Sequence, residues 1–416
     1  MSECAAQARK KPPGKGGGTG EQGMAIFGTR RQVIGGLAGA AVAVGGLARA
    51  QGVPAPASPL TLSIVDVAGN LALTRPAFEA YRRKNPKLVG RIVYSQAPAP
   101  ELPGKLRAQQ AAGRVDIDMV LTGTDALAAG MQTGVWEGMA PHMAKLPDLK
   151  STLLPGALGM QALAQDQAVI CAYCPAGPLL EYLPERVRQV PTTAEELMAY
   201  TRANPGRFIY ARPANSGPGR AFLMGLPYIL GDANPKDPLG GWDKTWAYLT
   251  ALGENIEYYP SGTGATMKEF GEGSRDMTVT ITGWDINPRA LGTVPKTAMV
   301  GTLKGFHFIN DAHYMALPKG LAADRQAVLL DLVAFMLGKE AQAYTYDAGY
   351  FYPGPAVRDV PPTLAPQESQ DTLREFGRDF YDALIAGTPN ETPLEAAPMV
   401  QAFRRWDEQV GAKAKK

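Results

Sequence analysis

The sequence predicts an α/β protein of two lobes, each a mainly parallel sheet flanked by helices, joined by two extended hinge crossings. Three observations carry that expectation. Strand-like and helix-like segments alternate from Leu60 onward, the pattern that builds a sheet wrapped on both faces. The alternation breaks and restarts near Gln167. About 366 residues follow Ala50, too many for one ordinary core and enough for two.

The first fifty residues stand apart from that pattern. Thr29-Arg30-Arg31-Gln32-Val33-Ile34, a weakly apolar run to Leu47 and Ala48-Arg49-Ala50 match a twin-arginine signal peptide with an A-x-A cleavage site. The run is shorter and more Gly/Ala-rich than a membrane-spanning helix needs, and it ends on Arg49. The expectation is therefore residues 1–50 as extension and leader, export by the twin-arginine route, and a mature chain in the periplasm. Met24 is a second candidate start. Seven Lys/Arg and two Asp/Glu lie in residues 1–50, which leaves 35 basic against 37 acidic residues in the rest. The basic character belongs to the leader, and nothing resembles the clustered Lys/Arg of a nucleic-acid footprint.

The elements follow in order. Leu60-Thr61-Leu62-Ser63-Ile64-Val65 reads as a strand broken at Gly69-Asn70; Arg75 to Lys84 is amphipathic and stops at Asn85-Pro86, where a helix usually ends. Arg91 to Tyr94 is a second strand, Leu102 to Ala112 a helix closed by Gly113, and Ile117 to Leu121 a third strand. Ligands bind at the carboxyl ends of such strands, so the loops 66–70, 95–98 and 122–125 should converge on one crevice. In the second half, Ala168 to Tyr173 reads as a buried strand, Thr192 to Glu196 as a capping box, Arg207 to Tyr210 as a strand, and Ala221 to Leu230 as an apolar helix after the turn Asn215 to Gly219. Ile256 to Tyr259, Met277 to Ile281 and Thr302 to Ile309 supply further strands. Ala322 to Leu337, Asp371 to Ile385 and Leu394 to Val410 are the closing helices.

Catalytic motifs are sparse. Only His142, His307 and His313 are present, with no H-E-x-x-H, G-x-S-x-G or phosphate-loop spacing, so the expectation is no enzyme, no metal and no cofactor. Cys171 and Cys174 fall on a strand where positions three apart face opposite ways, which reads as two core thiols. Tyr258-Tyr259 invites Fe(III), but alternation splits the pair into one core and one surface tyrosine. Gly262-Thr263-Gly264 reads as a turn, with anion binding at the following helix start as the alternative. Gly283-Trp284-Asp285-Ile286-Asn287 follows an apolar strand and sets a ring beside a carboxylate, suited to a cation or flat heterocycle.

Several tracts resemble the extracellular solute-binding proteins of ABC importers, in the type II periplasmic-binding fold and its polyamine, thiamine and ferric-iron branch. They are Gly271 to Met277, Trp284 to Asn287, Phe306 to Asn310, His313-Tyr314-Met315-Ala316-Leu317-Pro318-Lys319-Gly320, and the helix ending Phe335 to Gln342; Asn204 to Tyr210 is similar to a run of the thiamine or polyamine subgroup. The resemblance covers nearly all of residues 60–356. It implies a hinged receptor with a small-molecule ligand and an inner-membrane permease partner, as a monomer. Lobe 1 would hold 59–166 and 307–416 and lobe 2 would hold 167–306, with crossings near 165–169 and 301–308.

The departures bear on the ligand. Polyamine binders of this branch carry Trp-x-Asp where Asp311-Ala312-His313 stands, and its ferric binders place a Tyr-Tyr pair near Trp284-Asp285. The expected solute is a small organic cation or thiamine-like compound, held by Asp66, Asn70, Asp125, Tyr173, Trp284 and Asp285. A ferric-iron or polyamine binder, or an exported enzyme on a similar scaffold, is the alternative.

Overall fold

The structure, a computed structural model, describes residues 53–98 and 101–413; the leader expected over residues 1–50 lies outside the described residues. Two sheets organise the chain. In the first, β1 (Leu60–Asp66) runs parallel to β2 (Val89–Gln96) on one side and β3 (Met119–Gly123) on the other. The connections are the helices Leu71–Lys84 and Leu102–Ala111, so both are β-α-β crossovers. Helix Leu71–Lys84 turns Leu73, Ala77, Phe78 and Tyr81 inward, the spacing of one helical face.

Two long strands are buried along their whole length, β4 (Val169–Gly177) and β9 (Phe308–Ala316). They pair antiparallel with each other, and β9 also pairs antiparallel with β3. Antiparallel pairing enters here because one strand leads out of the first sheet and the other leads back. The second sheet has the order β6 (Phe208–Ile209), β7 (Met277–Thr280), β5 (Leu179–Tyr182), β8 (Met299–Gly301). The chain changes sheet at 177–179 and returns between Gly301 and Phe308. Strand pairing thus puts Val169–Gly177 in the first sheet, whereas the sequence reading opened the second lobe at residue 167. The short β10 (Asn390–Glu391) lies along the first two residues of β9.

Each sheet has its own apolar cluster. Leu62, Ile64, Met119, Val120 and Leu121 pack with Leu329 and Val333 of the helix Ala323–Met336 around the first. Phe208, Tyr210, Phe222, Trp242 and Trp246 form the second. The C-terminal helix Ala396–Gln409 serves both: Met399 lies beside Leu127 and Ala128, while the Trp406 ring packs edge-on to Tyr259 at 4.8 Å and donates its N–H to Tyr210 Oη.

Some expected strands differ. Residues 256–259 form no strand; Tyr259 is buried and Tyr258 exposed, one core and one surface ring. The strand expected from Thr302 starts at Phe308, because Gly305 takes a left-handed conformation (φ +80°) that ends extended pairing before it. Cys171 and Cys174 are free and buried, and burial pushes the Cys171 thiol up to about 12. Among the described residues no helix is long and apolar enough to cross a membrane.

Candidate functional site

A cavity of about 540 Å³ opens between the two sheets. All three loops expected to converge reach it: Val67 and Ala68 after β1, Pro98 after β2, and Gly123 at the end of β3 with Asp125 just beyond. From the other side come Ser216, Gly217 and Arg220 at the start of helix Gly217–Leu230, Thr263 and Gly264 at the start of helix Thr263–Gly271, and Ile281 and Trp284 at the start of helix Thr282–Ala290. Asp311 and His313 on β9 form part of the wall with Tyr350 and Phe351.

Of the six residues proposed from the sequence, Asp125 and Trp284 line the cavity and the other four do not. Asp66 is buried with its carboxylate turned back on its own loop, accepting N–H bonds from Ala68 (2.9 Å), Asn70 (3.0 Å) and Leu71 (2.9 Å). It serves donors of its own loop and of the helix start, so it positions Val67 and Ala68 rather than lining the cavity itself. The fully buried Asn70 donates to Cys171 Sγ at 3.3 Å. Tyr173 donates to Asn310 Oδ1 at 3.1 Å, tying β4 to β9.

Asp285 departs furthest from expectation. The sequence sets Asp285 beside the Trp284 ring as a joint contact, but Thr282–Ala290 is a helix, and its curvature sends Asp285 away from Trp284 into the interior. There it receives Arg289 Nη2 (3.0 Å), Arg378 Nη2 (2.7 Å) and Tyr381 Oη (2.7 Å), with no exposure at all. Its charge is spent on holding the segment around Arg378 to the second lobe.

The cavity wall holds charged side chains that the sequence reading missed. Arg220 is 6% exposed and donates from Nη2 to Asp311 Oδ2 at 2.5 Å; its Nη1 stands 3.5 Å from Asp125 Oδ2. Burial alone would lower its pKa, but Asp311 and Asp125 raise it above its ordinary value. Asp311 Oδ1 is occupied by the Thr124 hydroxyl (3.1 Å) and the Ala312 N–H (2.9 Å). Arg220 therefore links a crossing strand to both lobes. The available signal was an arginine opening an otherwise apolar helix, which requires a buried partner.

Aromatic rings close one side. Trp284 meets Tyr350 edge-on at 5.5 Å, and the Tyr350 hydroxyl donates to Ala68 O at 3.2 Å. Two glycines permit this. Gly69 has φ +74°, and a Cβ there would lie 2.4 Å from the Tyr350 hydroxyl; a Cβ on Gly283 would lie 2.1 Å from the Tyr350 carbonyl oxygen. His313 lies over Phe351 at 4.3 Å between ring centroids, and its buried Nδ1 has no hydrogen-bond partner. Burial lowers its pKa below 6.5 despite nearby Asp311 and Asp66, so the ring is neutral at neutral pH. Among the described residues no group of three His, Cys, Asp or Glu is placed to hold a metal.

The cavity lies between two sheets joined by the crossing strands β4 and β9, an architecture suited to enclosing a small solute. Residues 77–372, well over half of the chain, match the bacterial extracellular solute-binding protein family, and the chain belongs to it. No curated protein sequence matches the chain. Solved structures share the fold at low identity. A periplasmic thiamin binding protein superposes with a TM-score of 0.59 at 16% identity over 86% of this chain and 99% of that chain. A GABA receptor gives 0.59 at 18% over 85% and 96%. A Streptococcus pneumoniae spermidine/putrescine ABC transporter substrate-binding protein gives 0.56 at 13% over 83% and 99%.

Proposed function

We propose that this protein captures a small solute bearing a cationic group in the cavity between its lobes and delivers it to an ABC importer permease in the inner membrane. The observation that carries the cation is the charge of the wall: Glu101, Asp125 and Asp311 stand against Arg220, the one Lys or Arg among the described lining residues. Trp284 brings an aromatic ring to the same wall, and a ring beside carboxylates is the pairing that holds organic cations. A thiamine-like heterocycle would use the same two features. The reading includes a monomer exported by the twin-arginine route to the periplasm, acting as a binder with no reaction of its own. Delivery to an importer is supported by the likeness to the spermidine/putrescine and thiamin proteins.

The experiment is to purify the mature chain from its native periplasm, unfold it gently and identify the released small molecules by mass spectrometry. The expected result is one dominant amine or quaternary nitrogen compound in near-stoichiometric amount. Release of a tightly bound redox cofactor would favour the exported-enzyme reading, and release of iron the ferric one.

A further inference from the structure

We infer that the solute of this cavity carries an acid group as well as its cation, and that the two ends insert between Arg220 and Asp125. The inference rests on the cation-binding reading above and narrows it to amino-carboxylate solutes.

The two contacts of Arg220 are unequal. With Asp311 it forms a short pair at 2.5 Å between two buried side chains. At 3.5 Å from Asp125 Oδ2, Nη1 is too far for a good hydrogen bond and makes none. Asp311 is the more heavily engaged partner, since Thr124 and Ala312 both donate to its other oxygen. Asp125 has only one oxygen committed, Oδ1, which accepts the N–H of Ala126 at 2.9 Å. A buried guanidinium donor and a carboxylate oxygen that accepts no hydrogen bond thus stand 3.5 Å apart in the cavity wall as a loose ion pair.

The donors around Arg220 extend the same preference. Ser216 Oγ and Thr263 Oγ1 meet at 2.8 Å, joining the first turns of two helices of 14 and 9 residues. The N–H groups of Gly217, Thr263 and Gly264 have no acceptor within those helices, as is general for a first turn. Beside a guanidinium they make a place for an anionic group.

Charge bookkeeping then selects the solute. A simple amine taking Asp125 leaves Nη1 and these amides without an anion. A simple carboxylate taking Nη1 leaves Asp125 stripped of its only counter-charge in a wall already acidic. An amino carboxylate supplies both: its ammonium meets Asp125 beside Trp284, and its carboxylate meets Nη1 and the helix starts. The Arg220–Asp311 pair stays intact throughout, so the insertion breaks only the looser contact.

The test is calorimetric titration of the mature chain with matched probes of two to six carbons: linear amino carboxylates, their methyl esters, the corresponding alkylamines and the corresponding alkanoates. The amino carboxylate of the fitting length is expected to bind about tenfold or more tighter than its ester and its amine, the loss that removing a charged hydrogen-bond partner brings. Arg220→Lys, which keeps the charge beside Asp311, should shrink the preference for acid over ester. An ester or amine that binds as tightly as the amino carboxylate overturns the inference and leaves the cation reading standing. An alkanoate that binds as tightly overturns both. No binding by any probe also overturns the inference, and larger amines then test the cation reading alone.

Discussion

Asp285 and Arg378, 93 positions apart, meet through two hydrogen bonds, Nη2 to Oδ1 at 2.7 Å and Nε to Oδ2 at 3.0 Å. This bidentate pair, with Arg289 and Tyr381 on the same carboxylate, makes the residue after Trp284 a fastening of the fold. Replacing Asp285 with Ala strands the buried guanidinium of Arg289 and the partly buried one of Arg378. The expected cost is about 3–5 kcal/mol of unfolding free energy, read by denaturant titration, with solute affinity changed little at temperatures where the variant is folded. A large affinity loss with wild-type stability would instead mean that Asp285 contacts solute.

Trp284 is the reverse case, half-buried on the cavity wall. Trp284→Ala should remove about 0.5–2 kcal/mol of binding, the range of a cation held on an aromatic face. A solute that binds only the folded state raises the melting temperature by mass action, so a thermal scan with and without solute is the readout. An unchanged solute-dependent shift in the variant removes Trp284 from the site.

Glu181 lies on β5 fully buried, and neither carboxyl oxygen has a hydrogen-bond partner. Burial, reinforced by Asp285, pushes its pKa well above 4.5 despite Arg289 and Arg378. A raised carboxyl pKa favours the folded state fully below about 4.5 and progressively less as pH rises, because only the unfolded chain readily gives up the proton. Glu181→Gln should therefore match wild type in stability near pH 4.5 and exceed it at pH 8. Equal differences at both pH values would contradict a protonated Glu181.

His313 has the opposite sign. Its folded pKa lies below 6.5, so its contribution is complete above that pH and is lost as pH falls through the folded value. Asp66, Asp125 and Asp311 face the ring and moderate the loss, while Arg220 adds to it. His313→Gln should flatten the decline in melting temperature between pH 7 and 5, measured by calorimetry. A decline as steep as wild type would assign acid sensitivity elsewhere.

Much of the fold was legible because its signals are local. The strands around Leu62, Ile92 and Val120 and the helix at Phe78 follow from periodicity, and Gly69-Asn70 marks the turn between them. Crevice placement followed from topology: strand ends of one lobe brought Asp125 to the cavity, and the strand before Trp284 did the same from the other. What failed was facing. Whether Asp285 looks at solvent or at Arg378 depends on a helix beginning at Thr282 and on a partner 93 residues away, neither of which has a local signature. Asp66 was misread for a related reason, since a carboxylate that ends a strand can serve its own loop as well as a solute. Arg220 escaped notice because its partners, Asp125 and Asp311, are remote in sequence and meet only when the lobes are assembled.

Asp125 tests the central claim most directly. The measurement is calorimetric titration of the solute released from native protein into the wild-type chain and into Asp125→Asn, which keeps side-chain size and removes the charge. Capture of a cation by the acidic wall predicts an affinity about ten- to a hundredfold weaker in the variant, the value of one charge-assisted contact, with its unliganded melting temperature near wild type. Equal affinity in the two proteins would contradict it.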